Sequence, residues 1–190
     1  MKDITGIILA GGAARRMAGK DKGLVTFREQ PLFLHVAERF SPQVSSLMIS
    51  ANRHREIYQQ YGYPCIHDSL EGFQGPLAGM LSGLEAAESD WVAFTPCDSP
   101  FIPRNFVDQL WQSKREAGAC WIRSSQRDHP VFCLLHRQLI PALQDYLACG
   151  ERRVLIFLSQ YGHPVPMDTA ESAFININTV QELSEYEAQP

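Results

Sequence analysis

Short apolar runs alternate with amphipathic segments along this chain. The run from Ile4 to Ala10 is largely apolar and ends at glycines, a pattern typical of a strand buried in a parallel sheet. Similar runs predict further strands at 47–51, 65–67, 91–95, 119–122, 131–136 and 174–177. The segments between several of these runs have helical spacing instead.

Pro31 precedes the clearest helical segment, in which Leu32, Val36 and Phe40 recur at intervals of four. Further helices are predicted at 53–61, at 76–88, from 103, at 139–147 and at the carboxyl end, to about Glu187. Alternating strands and helices predict an α/β fold: a three-layer sandwich with a mostly parallel, Rossmann-like sheet and helices on both faces. Without a linker or repeat, residues 1–190 are expected to form a single domain.

Bulk composition narrows the class of protein. The 190 residues are 45% hydrophobic and 20% charged, as in ordinary globular proteins, and the net charge of -4 disfavours nucleic acid as a partner. No apolar stretch approaches the ~20 residues that span a bilayer, and the first residues lack the apolar core of a signal peptide. The five scattered cysteines contain no Cys-x-x-Cys pair, which favours reduced thiols in a cytoplasmic protein without a thiolate metal site.

The first predicted strand leads into the segment Leu9–Lys22, which reads LAGGAARRMAGKDK. Glycines here would let backbone N–H groups approach a phosphate closely. The spacing fits neither G-x-x-x-x-G-K-[ST] nor G-x-G-x-x-G, and a glycine pair alone more often marks a turn. Four cations crowd this segment, however, and would suit a polyphosphate: Arg15, Arg16, Lys20 and Lys22. A solvated loop is the alternative.

Two aspartates follow predicted strands, at the edge where parallel sheets bind ligands. Asp98 comes after the strand at 91–95 and could hold Mg²⁺ or cap a turn. Asp68 comes after the strand at 65–67 and could accept hydrogen bonds from a base or from ribose hydroxyls, or belong to an ordinary loop.

The segment Leu9–Lys22 resembles L-A-G-G-x-[SA]-x-R-M-G-x-x-K, the signature of nucleotide-sugar pyrophosphorylases and their relatives. With Arg15-Arg16 and motifs that extend over almost the whole chain, the sequence is similar to the molybdenum cofactor guanylyltransferase family. It departs from that pattern where Ala18, rather than glycine, follows Met17. The resemblance implies a Mg²⁺-dependent enzyme that transfers GMP from GTP to molybdenum-molybdopterin and releases pyrophosphate.

The resemblance also implies roles for individual residues. Arg16, Lys22 and Asp98 would be catalytic, with Asp98 as the metal ligand. Nucleotide contacts would come from Leu9, Ala10, Gly11, Gly12, Lys22, Ser50, Asp68, Gly79 and Asp98. Gly79 closes the GPLAG run, whereas Ser50 stands where relatives carry asparagine, so its hydroxyl can make fewer hydrogen bonds.

Three clusters in the second half resemble acceptor-binding stretches of the family: 127–130, 150–153 and 176–179. On a strand, Asn176 and Asn178 would share one face, from which their amides could hydrogen-bond the pterin. Arg152 and Arg153 would bind its phosphate. Alternatively, the arginines begin a solvated helix and the 178–179 pair caps the last helix. His129 is expected to be structural. Nucleotide and acceptor halves are thus expected at about 1–100 and 101–190.

The expected partners are GTP and molybdenum-molybdopterin, with cofactor-recipient enzymes or delivery proteins as further candidates. One rival is a transferase on the same scaffold that uses CTP or a sugar-phosphate acceptor. The other is a non-catalytic carrier that binds nucleotide and pterin. A metal carboxylate at Asp98 argues against the carrier, which has little need of one.

Overall fold

The computed structural model describes residues 2–11, 21–68, 75–169 and 171–188, and only the backbone of Val180. Its strands are β1 (Ile4–Leu9), β2 (Thr26–Phe27), β3 (Gln30–Pro31), β4 (Ser46–Ser50), β5 (Cys65–Ile66), β6 (Trp91–Pro96), β7 (Ala119–Arg123), β8 (Asp128–His136) and β9 (Gly162–Pro166). Its α-helices are α1 (Leu32–Phe40), α2 (Arg55–Gln60), α3 (Pro76–Ala86), α4 (Phe106–Ser113), α5 (Ile140–Ala148), α6 (Val154–Tyr161) and α7 (Val180–Glu187).

Seven strands form one sheet in the order β5-β4-β1-β6-β8-β7-β9, while β2 and β3 form a separate hairpin. β8 runs antiparallel to both of its neighbours, and the other pairings in the large sheet are parallel. The expected mostly parallel sheet is therefore confirmed. Its first half brings the carboxyl ends of β5, β4, β1 and β6 to one edge.

Helices cover both faces of the sheet because successive strand residues point to opposite sides. In β1, Ile4 and Ile8 pack into a core with α1, α2 and α4, whereas Ile7 and Leu9 pack into a second core with α3, α5 and α6. These two cores confirm the three-layer arrangement. Within the described ranges, none of the helices is long and apolar enough to cross a bilayer.

The expected strand at 174–177 is wrong. Glu171–Phe174 is a 3₁₀ turn, and the chain to Thr179 is irregular. Phe174 and Ile177 are buried three residues apart, which is the period of a turn rather than the alternation of a strand. The sheet instead takes β9 as its edge strand, which the sequence pattern did not indicate. The preceding helix α6 begins directly after Arg152 and Arg153, where the alternative for these arginines places a helix.

Several boundaries also differ from those expected. The helix expected from Pro103 begins at Phe106, and the strand expected from Val131 begins at Asp128. The hairpin of β2 and β3 was not foreseen. Its turn places Arg28 and Glu29 at φ values of 43° and 69°, which larger residues adopt less often than glycine.

Candidate functional site

The carboxyl ends of β1, β4 and β5 gather small and polar residues at one edge. Leu9 and Ser50 are paired at the ends of β1 and β4, and the Ala10 amide donates to the Ser50 carbonyl at 2.8 Å. Asp68 comes shortly after the end of β5, the edge strand beside β4. We call this group, with Gly11, Asn52 and Gly79, the β5 end of the site.

Gly79 lies on α3 directly against this group. A Cβ atom there would lie 2.9 Å from Leu9 Cδ2, 3.0 Å from Ser50 Oγ and 3.6 Å from Asp68 Oδ1. The first two distances are shorter than a Cβ atom normally makes, so the Leu9 and Ser50 side chains would have to shift to admit one. The glycine therefore lets helix α3 approach the carboxylate and the hydroxyl.

Asp68 is held by Asn52, a residue outside the expected set of site residues. The Asn52 carboxamide donates to Asp68 Oδ2 at 2.7 Å, and its oxygen accepts from the Asp68 amide at 2.9 Å. Asp68 Oδ1 is buried and has no hydrogen-bond partner among the described residues. A buried acceptor left unpaired costs about 1–3 kcal/mol, so this oxygen is available to accept a hydrogen bond from a donor outside the described residues.

A second group, which we call the β6 end, surrounds Asp98 just beyond β6. Lys22 Nζ donates to Asp98 Oδ2 at 3.2 Å and to Asn178 Oδ1 at 2.6 Å. Asp98 is 5% exposed, and its Oδ1 atom has no partner among the described residues. Burial raises the pKa of the Asp98 carboxyl above its ordinary value, while the charge of Lys22 opposes that rise.

Backbone contacts fix the β6 end. The Cys97 amide donates to the Leu9 carbonyl at 3.2 Å, which ties the turn after β6 to the end of β1. The Asp98 carbonyl accepts from the Ile177 amide at 2.9 Å, which brings the carboxyl-terminal segment alongside. Three distant parts of the chain thus meet at one carboxylate.

Asn176 and Asn178 lie in that carboxyl-terminal segment, but not on a shared strand face. Asn176 Oδ1 accepts from the Ser99 hydroxyl at 2.9 Å, whereas Asn178 Oδ1 contacts Lys22. Glu182 accepts from the amides of Asn178 and Thr179 at 2.6 and 3.1 Å, and the Thr179 side chain completes a capping box for α7. The helix cap therefore also positions Asn178.

A cavity of about 330 Å³ adjoins the two asparagines. It is also lined by the first residues of β8 and by Arg127. His129 is 6% exposed, is stacked on Phe174, and lies 3.3 Å from Glu171 Oε1. Burial lowers the pKa of the His129 imidazole, in keeping with a structural role.

Arg152 and Arg153 lie apart from this cavity, since neither is among the described residues that line it. The Arg152 guanidinium donates to the carbonyls of Leu147 and Glu151 at 2.8 and 2.6 Å, where helix α5 ends. Arg153 is exposed and immediately precedes α6. Within the cluster at 150–153, the two arginines therefore lie in the connection between helices α5 and α6.

Gly12 and Arg16, which were expected in the site, lie outside the described residues, as do Arg15 and Lys20, the other two cations expected at a polyphosphate. Among the residues that the structure describes, no group of three His, Cys, Asp or Glu side chains could by itself hold a metal ion. Mg²⁺ commonly takes one or two protein carboxylates and completes its shell with water and substrate phosphates. The buried, unpaired Asp98 oxygen fits that kind of shared site.

The two ends are separated by a distance that suits a nucleotide. β5 and β6 are three positions apart in the sheet, and three spacings of about 4.8 Å give roughly 14 Å. An extended nucleoside triphosphate can span this distance, with its base against the Asp68 carboxylate and its phosphates at Lys22. At each end, one carboxylate oxygen is buried and unpaired among the described residues.

The chain is similar to proteins of a known family. Residues 6–165 match the family described as the MobA-like NTP transferase domain. A molybdenum cofactor guanylyltransferase from Yersinia pseudotuberculosis serotype O:1b (strain IP 31758) is 46% identical over 178 residues, which cover 93% of this chain and 91% of that protein.

Solved structures share the fold at lower identity. Molybdopterin-guanine dinucleotide biosynthesis protein A from Archaeoglobus fulgidus superposes with a TM-score of 0.80 at 22% identity, over 96% of each chain. A 4-diphosphocytidyl-2C-methyl-D-erythritol synthase from Anaerococcus prevotii gives 0.77 at 13% identity, over 98% of this chain and 95% of that one. Because the family model matches most of its length and a relative is 46% identical over 93% of it, the chain belongs to the MobA-like NTP transferase family.

Proposed function

We propose that this nucleotidyltransferase transfers GMP from GTP to the terminal phosphate of molybdenum-molybdopterin, forming the guanine dinucleotide cofactor and pyrophosphate. The observation that carries the proposal is the meeting of Lys22 with Asp98, whose second carboxylate oxygen is buried and unpaired among the described residues. The name and 46% identity of the Yersinia relative support the choice of GTP and of a molybdenum pterin acceptor.

The β6 end would bind the triphosphate. A lysine ammonium has three donors, of which two contact Asp98 and Asn178, so the third remains for a phosphate oxygen. Asp98 Oδ1, together with nucleotide phosphates, would hold a divalent cation, for which we propose Mg²⁺. When bound, that ion supplies positive charge against the charge that develops on the phosphates. Arg16 and the amides of Gly11 and Gly12 are proposed to act on the same phosphates.

The chemistry needs no general base. A phosphate monoester is largely ionised at neutral pH, so an oxygen of the acceptor's phosphate can attack the α-phosphorus of GTP directly. The new P–O bond forms as the bond to the β-phosphate's bridging oxygen breaks, and that oxygen leaves with the electron pair on pyrophosphate. Lys22 would stabilise the leaving group, and the site as a whole would hold two anions in line.

The β5 end would bind guanine or its ribose. Leu9, Ala10 and Gly79 would line the flat base, the Ser50 hydroxyl would add one hydrogen bond, and Asp68 would accept through its bare oxygen. Guanine N1–H and N2–H₂ are donors that suit a carboxylate.

Replacing Asn52 by alanine tests the β5 end. We expect the GTP KM to rise about tenfold with a smaller change in kcat, because Asp68 loses both hydrogen bonds that orient it. Steady-state pyrophosphate release gives both constants. Asn105→Ala is the matched control, since Asn105 is exposed and makes no side-chain capping bond at α4. A lowered kcat with an unchanged KM would contradict this assignment.

The acceptor would occupy the cavity beside Asn176 and Asn178. Its lining offers amide groups for a polar heterocycle and the Arg127 guanidinium for a phosphate. Arg127 is paired with Glu171 at 2.7 Å but remains 61% exposed along its side chain. Arg152 and Arg153 stay candidates for the acceptor's phosphate, although their described contacts lie at helix ends.

Asn178→Ala separates the two substrates. We expect the acceptor KM to rise about tenfold while GTP affinity stays near that of the wild type, because Lys22 keeps Asp98 and gains a free donor. Calorimetric titration with GTP and acceptor-dependent kinetics measure the two effects. Gln181→Ala, an exposed change on α7, serves as the control. Weakened GTP binding with normal acceptor use would overturn the assignment.

Transfer from CTP, transfer to a sugar phosphate, and a carrier without catalysis are the competing functions. Thermal stabilisation by GTP, CTP and ATP ranks the nucleotides, since a ligand stabilises the fold that binds it. Pyrophosphate release then separates an enzyme from a carrier.

We further propose that the chain forms a single domain and is located in the cytoplasm, without nucleic-acid or membrane partners. Delivery proteins or recipient enzymes would collect the product.

A further inference from the structure

The turn that presents Lys22 is held from behind by Asp21 and Tyr58. Asp21 caps the 3₁₀ turn Lys22–Leu24, and its Oδ1 atom accepts a hydrogen bond from the Gly23 amide at 3.1 Å. The same oxygen accepts from the Tyr58 hydroxyl at 2.7 Å. One carboxylate oxygen therefore joins the turn to helix α2, which lies between β4 and β5 in the chain.

Tyr58 is itself fixed. Its side chain is fully buried, and its ring packs edge-to-face on Phe33 of α1 with centroids 4.8 Å apart. Burial raises the pKa of the Tyr58 hydroxyl far above its ordinary value, so the group stays protonated and donates at neutral pH. The donor thus belongs to the rigid core beneath the site.

The turn is packed closely against the Tyr58 hydroxyl at Gly23. A Cβ atom at Gly23 would lie 2.5 Å from the Tyr58 hydroxyl oxygen and 3.4 Å from Cys97. No side chain fits between the turn and the tyrosine, so the turn lies directly on the hydroxyl. A small movement of Tyr58 or Asp21 would shift the backbone that carries Lys22.

Such a shift would change the position from which the Lys22 side chain extends. Its ammonium lies between Asp98 and Asn178 and must still reach a phosphate. A lysine side chain is flexible, and the direction of its ammonium depends on where the backbone starts it. We propose that Tyr58, acting through Asp21, is a positioning residue that aligns Lys22 with the triphosphate of GTP. This role rests on the proposed function only in that Lys22 binds those phosphates.

Tyr58→Phe tests the role because it keeps the ring on Phe33 and removes only the hydroxyl. We expect the dissociation constant for GTP with Mg²⁺, measured by calorimetry, to rise about tenfold. Tyr61→Phe is the matched control: its ring also contacts Phe33, at 5.3 Å, but it is 45% exposed. That variant should bind GTP as the wild type does.

A double-mutant cycle distinguishes positioning from a general loss of structure. In a Lys22→Ala background, adding Tyr58→Phe should change GTP affinity by less than about twofold, since the group it positions is gone. Asp21→Asn keeps an acceptor oxygen for both donors and should bind GTP nearly normally. Asp21→Ala should reproduce the loss seen with Tyr58→Phe.

Two results would overturn the role of Tyr58. One is wild-type GTP affinity in Tyr58→Phe, and the other is an equal loss with and without Lys22. Absence of GTP binding by the unmodified protein would instead overturn the proposed function, and this role with it. That result appears in the first titration, before any substitution, so the two failures are distinguishable.

Discussion

Asp98→Asn should lower kcat by about 10³-fold, equivalent to roughly 4 kcal/mol of transition-state stabilisation. The asparagine oxygen can still accept from Lys22, so the change removes the carboxylate charge and little else. Burial disfavours the charged form of Asp98, as its raised pKa indicates, so a neutral amide should not lower the melting temperature. Steady-state kinetics and thermal unfolding measure the two effects.

The comparison variant is Asp108→Asn. Asp108 is another aspartate in an ion pair with lysine, but its side chain is 54% exposed and its partner is Lys2 on the surface. We expect wild-type turnover from it. Metal-dependent activity retained in Asp98→Asn would remove Asp98 as the metal ligand.

Lys22→Ala should lower kcat/KM for GTP by about 10²- to 10³-fold, because the triphosphate loses its charged donor at the β6 end. The substitution also leaves Asp98 buried without the cation that lowers its pKa. Both effects act against binding of the nucleotide and its metal ion. Initial rates at varied GTP concentration give the two constants.

Lys2→Ala controls for the loss of one positive charge. Lys2 contacts Asp108 on the surface and lies over the Trp111 ring, so its removal should leave GTP kinetics unchanged. A normal kcat and KM in Lys22→Ala would exclude this lysine from the site.

The layered fold was predictable because its strands are short, apolar and separated by helical patterns. β9 was missed since Pro164 and Pro166 interrupt its pattern, and prolines are tolerated there because the strand lies at the sheet edge. α6 was indicated only as an alternative, by the arginines before it, because its sequence, VLIFLSQY, begins with an unbroken apolar run that does not distinguish a helix from a strand. The segment 174–177 resembles a strand because the apolar Ile175 and Ile177 alternate with the polar Asn176. The buried residues are instead Phe174 and Ile177, three positions apart as in a turn.

The sequence indicates three of the site candidates. Asp68 and Asp98 follow predicted strands, and Lys22 ends the loop that follows the first strand. The structure brings Lys22 and Asp98 together, although the assignment of all three to a nucleotide remains a proposal. Their supports were not predictable. Asn52 and Tyr58 act on aspartates that lie 16 and 37 residues away in the chain, and no local pattern indicates such a pair.

The decisive experiment incubates the protein with GTP, Mg²⁺ and molybdenum-molybdopterin and measures the pyrophosphate released together with the guanine dinucleotide formed. We expect one pyrophosphate for each guanine dinucleotide formed, with GTP preferred over CTP and with little product from Asp98→Asn or Lys22→Ala. Binding of GTP and pterin without pyrophosphate, or a preference for CTP, would contradict the proposed function.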